Sequence, residues 1–168
     1  MKLSNLIILL FIVLMLNSCG TGITGQTTAE PQDYNEPKQI TVPANQYSSD
    51  MDFFDANKIN DEGLSEDAWY TNEFVTPKYI KIDAGIGKSY AFTIINCHFY
   101  NGWYDIQYSD DNTNWITATT LWSSGNSPWT DAHWGFIGYR RYWRLSFTSR
   151  YWDETTTGRE IQWWGYAK

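Results

Sequence analysis

The chain has 168 residues, with 12 Lys and Arg against 19 Asp and Glu for a formal charge of −7. That balance excludes the basic face a nucleic-acid partner requires, because the five Arg between Arg140 and Arg159 are interleaved with Asp153, Glu154 and Glu160. Aromatics are 18% of the chain and all ten Trp lie at or after Trp69, more than one core absorbs, so some belong on exposed loops.

At the N-terminus, Lys2 precedes an unbroken apolar run from Leu6 to Leu16. A charged start, a short apolar stretch and a small residue before the cut define a secretory signal. The run is shorter than the roughly 20 residues of a membrane-spanning helix. Leu16-Asn17-Ser18-Cys19 resembles the bacterial lipobox, which implies cleavage before Cys19 and acylation of the new N-terminus. The expected organisation is a signal peptide over 1–18, a lipid-anchored flexible tether over 19–38 and one folded domain over 39–168. Gly20 to Glu36 is rich in Thr, Gly, Gln, Pro and Asn, as a tether should be. Anchoring through more than one acyl chain places the domain at the cell envelope, extracytoplasmic. Gly20 stands where some inner-membrane lipoproteins carry Asp, which favours the outer membrane. With Cys19 acylated, Cys97 has no partner for an intramolecular disulfide, so the domain is held by its core.

Period-two patterning dominates the rest. Ile40 and Val42 form a first short strand ended by Pro43. Residues 55 to 68 hold one helical turn at most. Tyr79 to Asp83 alternates and stops at Ala84-Gly85. Tyr90, Phe92 and Ile94 share one face of the next run, with Thr93, Ile95 and Cys97 on the other. Tyr104, Ile106 and Tyr108 alternate with polar residues, as do Trp143, Leu145 and Phe147, and Ile161 and Trp163 close the chain. Short alternating strands between Asn, Gly, Asp and Ser clusters predict an all-β antiparallel sandwich or barrel. Trp69, Trp115, Trp143 and Trp163 fall at strand positions and are assigned to the core. Trp122, Trp129 and Trp152 are better surface candidates. Cys97, at an apolar strand end, reads as an inert buried thiol.

Ser109-Asp110-Asp111-Asn112-Thr113-Asn114-Trp115 carries hairpin turn chemistry. With Tyr104, Ile106 and Tyr108 before it, it resembles the Ser-x-Asp-Gly-x-x-Trp hairpin of discoidin-like (coagulation factor V/VIII type C) domains, which include family 32 carbohydrate-binding modules. Phe54-Asp55-Ala56-Asn57 with Trp69, Pro77 to Gly85, Arg141 to Leu145, and Glu160-Ile161 with Gly165 are similar to further motifs of that family, in its order. The resemblance covers about residues 40 to 168. It implies an antiparallel jelly-roll β-sandwich, galactose-binding-domain-like, with a ligand site on loops at one end. It also implies a structural Ca²⁺ between the opening loop (Asp55, Asn57, Asp67) and the late Glu160, oxygen donors of the kind calcium takes. In such modules an aromatic face stacks on the sugar ring and a few planar polar groups fix the hydroxyls. The matching loops here hold Tyr70 and Phe74, then His98 and Asn101. The family's Arg is missing near Cys97 and His98, and its loop His is replaced by Tyr70, so the galactose-type set is incomplete. Two aromatic loops compete for the ligand: one with Trp122 and Trp129, the other with Arg150, Tyr151 and Trp152.

No nucleophile elbow, His-Glu-x-x-His or phosphate loop is present, so an enzyme is not expected. The function expected is a non-catalytic, envelope-anchored carbohydrate-binding lipoprotein module whose partners are a glycan and, through Cys19, the bilayer. The alternative is an adhesin or assembly subunit that meets a protein or membrane partner through exposed aromatic loops.

Overall fold

The computed structural model describes residues 36–61, 63–64, 66–71, 77–100, 102–123, 129–149 and 156–168. Eleven strands follow one another: β1 (Lys38–Ile40), β2 (Tyr47–Ser49), β3 (Phe53–Phe54), β4 (Trp69–Thr71), β5 (Lys78–Asp83), β6 (Tyr90–Phe99), β7 (Gly102–Ser109), β8 (Ile116–Ser123), β9 (Trp129–His133), β10 (Tyr142–Ser149) and β11 (Thr156–Ala167). Among the described residues, a single 3₁₀ turn, Ala44–Gln46, separates β1 from β2, and residues 56–60 form turns. All strand pairs are antiparallel. They build a six-stranded sheet in the order β3-β4-β11-β6-β9, with β1 also on β11, and a five-stranded sheet in the order β2-β5-β10-β7-β8. This is the expected antiparallel jelly-roll sandwich.

The core lies between the sheets. Ile95, Cys97 and Phe99 of β6 and Ile161 and Trp163 of β11 face Ile80, Ile82, Tyr104, Ile106, Trp143, Leu145 and Phe147, all at most 1% exposed. Phe92 contacts both central indoles, Trp143 edge-on at 5.1 Å and Trp163 stacked at 4.6 Å. Such pairs add about 0.5–1.5 kcal/mol each beyond the area they bury. Phe92 and Ile95 therefore share the core, although strict alternation separates them. The register shifts between Trp164 and Gly165, so Trp164 lies opposite Ile94 but Gly165 opposite Phe92. An extra residue at a bulge re-phases the strand. Cys97 is a free, fully buried thiol, and burial pushes its pKa well up. Trp115 departs from expectation: it is only half-buried, with the Arg144 guanidinium 4.2 Å from its ring centre, because the hairpin turn carries it beyond the sheet.

Two glycines permit close packing. A Cβ on Gly158 would lie 1.9 Å from the Trp69 ring, and one on Gly165 would lie 2.2 Å from the Ala91 carbonyl oxygen. Trp69 reaches full burial only because β11 has no side chain at residue 158.

The hairpin between β7 and β8 is locked by side chains. Ser109 Oγ accepts from the Asp111 and Asn112 amides at 3.2 and 3.0 Å and donates to Asp111 Oδ1. Asp111 Oδ1 accepts from the Thr113 and Asn114 amides at 2.8 and 2.7 Å. Donors around this carboxylate, the Asn114 and Thr113 amides foremost, hold its pKa far below the usual range. Asn112 takes φ 62°, the left-handed conformation Asn tolerates.

Candidate functional site

A group of aromatics gathers at the end of the sandwich opposite this hairpin. Pairings of Thr71 with Thr156, Phe99 with Gly158, Trp129 with His98, Ser123 with Gly102 and Ser149 with Trp103 bring seven strand termini together there. Ser123 Oγ donates to the Phe99 carbonyl (2.9 Å) and the Tyr100 amide to the Thr157 carbonyl (3.0 Å), fixing β8 and β11 to the β6–β7 connection.

Trp103 and Trp122 are cross-strand neighbours on the outer face of the five-stranded sheet, 6.0 Å apart, and 45% and 42% exposed. Two adjacent indoles that remain in solvent form an apolar ledge of the kind that stacks on the C–H face of a sugar. Around the rim of the other sheet, His98 meets Tyr100 at 5.5 Å and Trp129 at 5.4 Å, both edge-on. The Arg159 guanidinium sits 5.8 Å from the Tyr100 ring centre. Tyr70 stacks on Phe53 at 5.3 Å with 13° between the rings, which occupies one of its faces.

Of the ligand-binding residues expected from sequence, Trp122 is exposed and Trp129 and Tyr70 are partly so. His98 needs correcting: it is 3% exposed, so it supports Trp129 and Tyr100 rather than offering a surface to a ligand. Burial, with the nearby Arg159 charge, holds its imidazole pKa below the ordinary value. Phe74, Asn101, Arg150, Tyr151 and Trp152 lie outside the described residues, as does Cys19. Trp103 was missed, though the alternation that buries Tyr104 and Ile106 puts Trp103 on the solvent face with Asp105 and Gln107.

The four expected calcium donors belong to segments that do meet. The Asp55 amide donates to the Ala68 carbonyl (2.8 Å) and the Ile161 amide to the Ile59 carbonyl (2.9 Å), so the opening loop lies against β4 and β11. Their side chains are engaged differently. Asp55 Oδ1 accepts from the Asn57 amide at 3.0 Å, Asp67 Oδ1 accepts from Arg159 Nε at 3.2 Å, and Glu160 is 1% exposed within the sheet. Among the described residues no three His, Cys, Asp or Glu gather as a metal-binding group. The Arg159 guanidinium holds one oxygen of Asp67, so a dication at these four residues would sit beside a fixed positive charge.

No family model and no curated protein matches the sequence. Solved structures do. The chain is similar to chitosan-binding module 1 of a chitosanase/glucanase from Paenibacillus sp. IK-5, at 23% identity over 71% of this chain and 93% of that one, with a TM-score of 0.55. It is similar to the family 32 carbohydrate-binding module of AlyQ in complex with 4,5-unsaturated mannuronic acid, at 18% identity over 75% and 97%, TM-score 0.57. It is also similar to the F5/8 type C domain of a Bacteroides fragilis protein, at 12% identity over 78% and 97%, TM-score 0.57. The fold is therefore that of a discoidin-like domain, the jelly roll shared by F5/8 type C domains and family 32 modules.

Proposed function

We propose that this chain is a non-catalytic carbohydrate-binding lipoprotein, tethered to the envelope through acylated Cys19 and binding a glycan at the aromatic end of the sandwich. The observation that carries this reading is the exposed Trp103–Trp122 pair at the end where the strand termini converge. Support comes from two similar structures, one a chitosan-binding module and the other a module in complex with 4,5-unsaturated mannuronic acid. A glycan array probed with the full chain, with and without chelator, tests the reading. Retained binding in chelator is expected. Absence of binding in both conditions, with a stable complex recovered from envelope extract, would favour the adhesin or assembly role instead. Replacing Cys19 by Ser should release the protein from the membrane fraction.

A further inference from the structure

The outer face of the six-stranded sheet carries a groove that starts at the same end of the sandwich as the Trp103–Trp122 ledge, on the other sheet. Three rows run across β11, β6 and β9: Trp164, Ile94 and His133; Gln162, Asn96 and Asp131; Glu160, His98 and Trp129. Ile94, Asn96, Trp129, Asp131, His133 and Trp164 line a depression of about 400 Å³, within the size range of small-ligand sites. Asp131 Oδ2 lies 3.0 Å from His133 Nε2, and the two side chains are 66% and 65% exposed. Among the described residues, no Lys or Arg lines the groove.

An outward Trp on a sheet is ordinarily cross-strand packing. Here two half-buried indoles share a shallow depression with a carboxylate, an imidazole and an amide. Indoles accept the C–H face of a pyranose, and carboxylate and amide oxygens accept from its hydroxyls. Trp129 stands at the open end of β9, so the groove begins where the aromatic end stops.

We propose that this groove is a second glycan subsite, which takes further units of a neutral pyranose chain extending from the aromatic end. The inference rests on the carbohydrate-binding reading and adds chain length and charge to it. The exposed Asp131 carboxylate, with no Lys or Arg lining the groove among the described residues, disfavours uronic-acid chains by like-charge repulsion. A longer ligand gains affinity because its second contact is intramolecular once the first is made.

The test titrates the full chain with neutral hexopyranose oligosaccharides of one to about six units, beside oligouronates of matched length. Affinity for neutral chains should rise at least about tenfold from monomer to the longest oligomer. Trp164→Ala should flatten that rise, leaving the monosaccharide affinity and melting midpoint unchanged, and Trp164→Phe should restore much of it. His133→Ala provides a second variant on the same wall and should also reduce the rise. A length dependence intact in both alanine variants would remove the subsite, while loss of all binding in Trp122→Ala would keep the aromatic-end reading. A wild-type affinity independent of length, or a preference for oligouronates, also overturns the subsite. No binding of any sugar overturns both.

Discussion

The two ends of the sandwich are built by different means. At the hairpin end, polar side chains fold back on the backbone. Ser109 and Asp111 close one turn. Asp83 receives two hydrogen bonds from Arg141, at 2.8 and 3.0 Å, and one from the Gly85 amide, where the chain turns at φ 92°. At the aromatic end, rings rest on rings and on glycine, as Trp69 on Gly158, Tyr70 on Phe53 and His98 against Trp129. Local hydrogen bonds specify a turn without help from distant chain. Ring packing leaves apolar faces available at the surface, which is what a ligand site requires.

This contrast can be broken from either side. The largest effect is expected from Gly158→Ala, which forces a methyl into the Trp69 ring and should destabilise the domain by about 3 kcal/mol, the overpacking range, read by denaturant melting. A loss below about 1 kcal/mol would mean that the aromatic end is not tightly packed. Trp122→Ala should leave that melting curve alone yet lower glycan affinity at least about tenfold, or about 1.4 kcal/mol. Equal loss of stability and binding would show the ledge to be structural. At the other end, Ser109→Ala strands two turn amides and should destabilise the fold by about 1 kcal/mol with glycan affinity unchanged.

Acid should give the smallest effect and locate it. The pKa values of Asp83 and Asp111 are lowered in the folded state, so each contributes stability that is complete above the unfolded carboxylate value and lost as pH falls through the folded one. Melting midpoints should therefore fall below about pH 4, and Asp111→Asn should reduce that dependence. An unchanged dependence in the variant would remove the hairpin end from acid unfolding.

The hairpin end was legible in the sequence because its determinants are local: Ser109, Asp111 and Asn112 declare their turn within a few residues. The strands around Ile80, Ile106 and Leu145 were legible from alternation alone. The bulge beside Trp164 was not, since nothing within β6 or β11 announces that Phe92 and Ile95 will share a face. His98 was misjudged for a related reason: its burial depends on Trp129 and Tyr100, which reach it through strand pairing and a tight connection. The groove under Trp164 draws its walls from three strands, far apart in the chain, and only register places Asp131 beside Asn96. Arg159 likewise met Asp67 only through the pairing of β4 with β11.

β11 pairs with β1, β4 and β6 and is the last strand in chain order. Until it emerges, three earlier strands of its sheet have no common neighbour. Most of the preceding chain must therefore be synthesised before this sheet can close, and pairing across such sequence distances is slow. Under the proposed export, that delay keeps the earlier strands threadable while the leading end crosses the membrane.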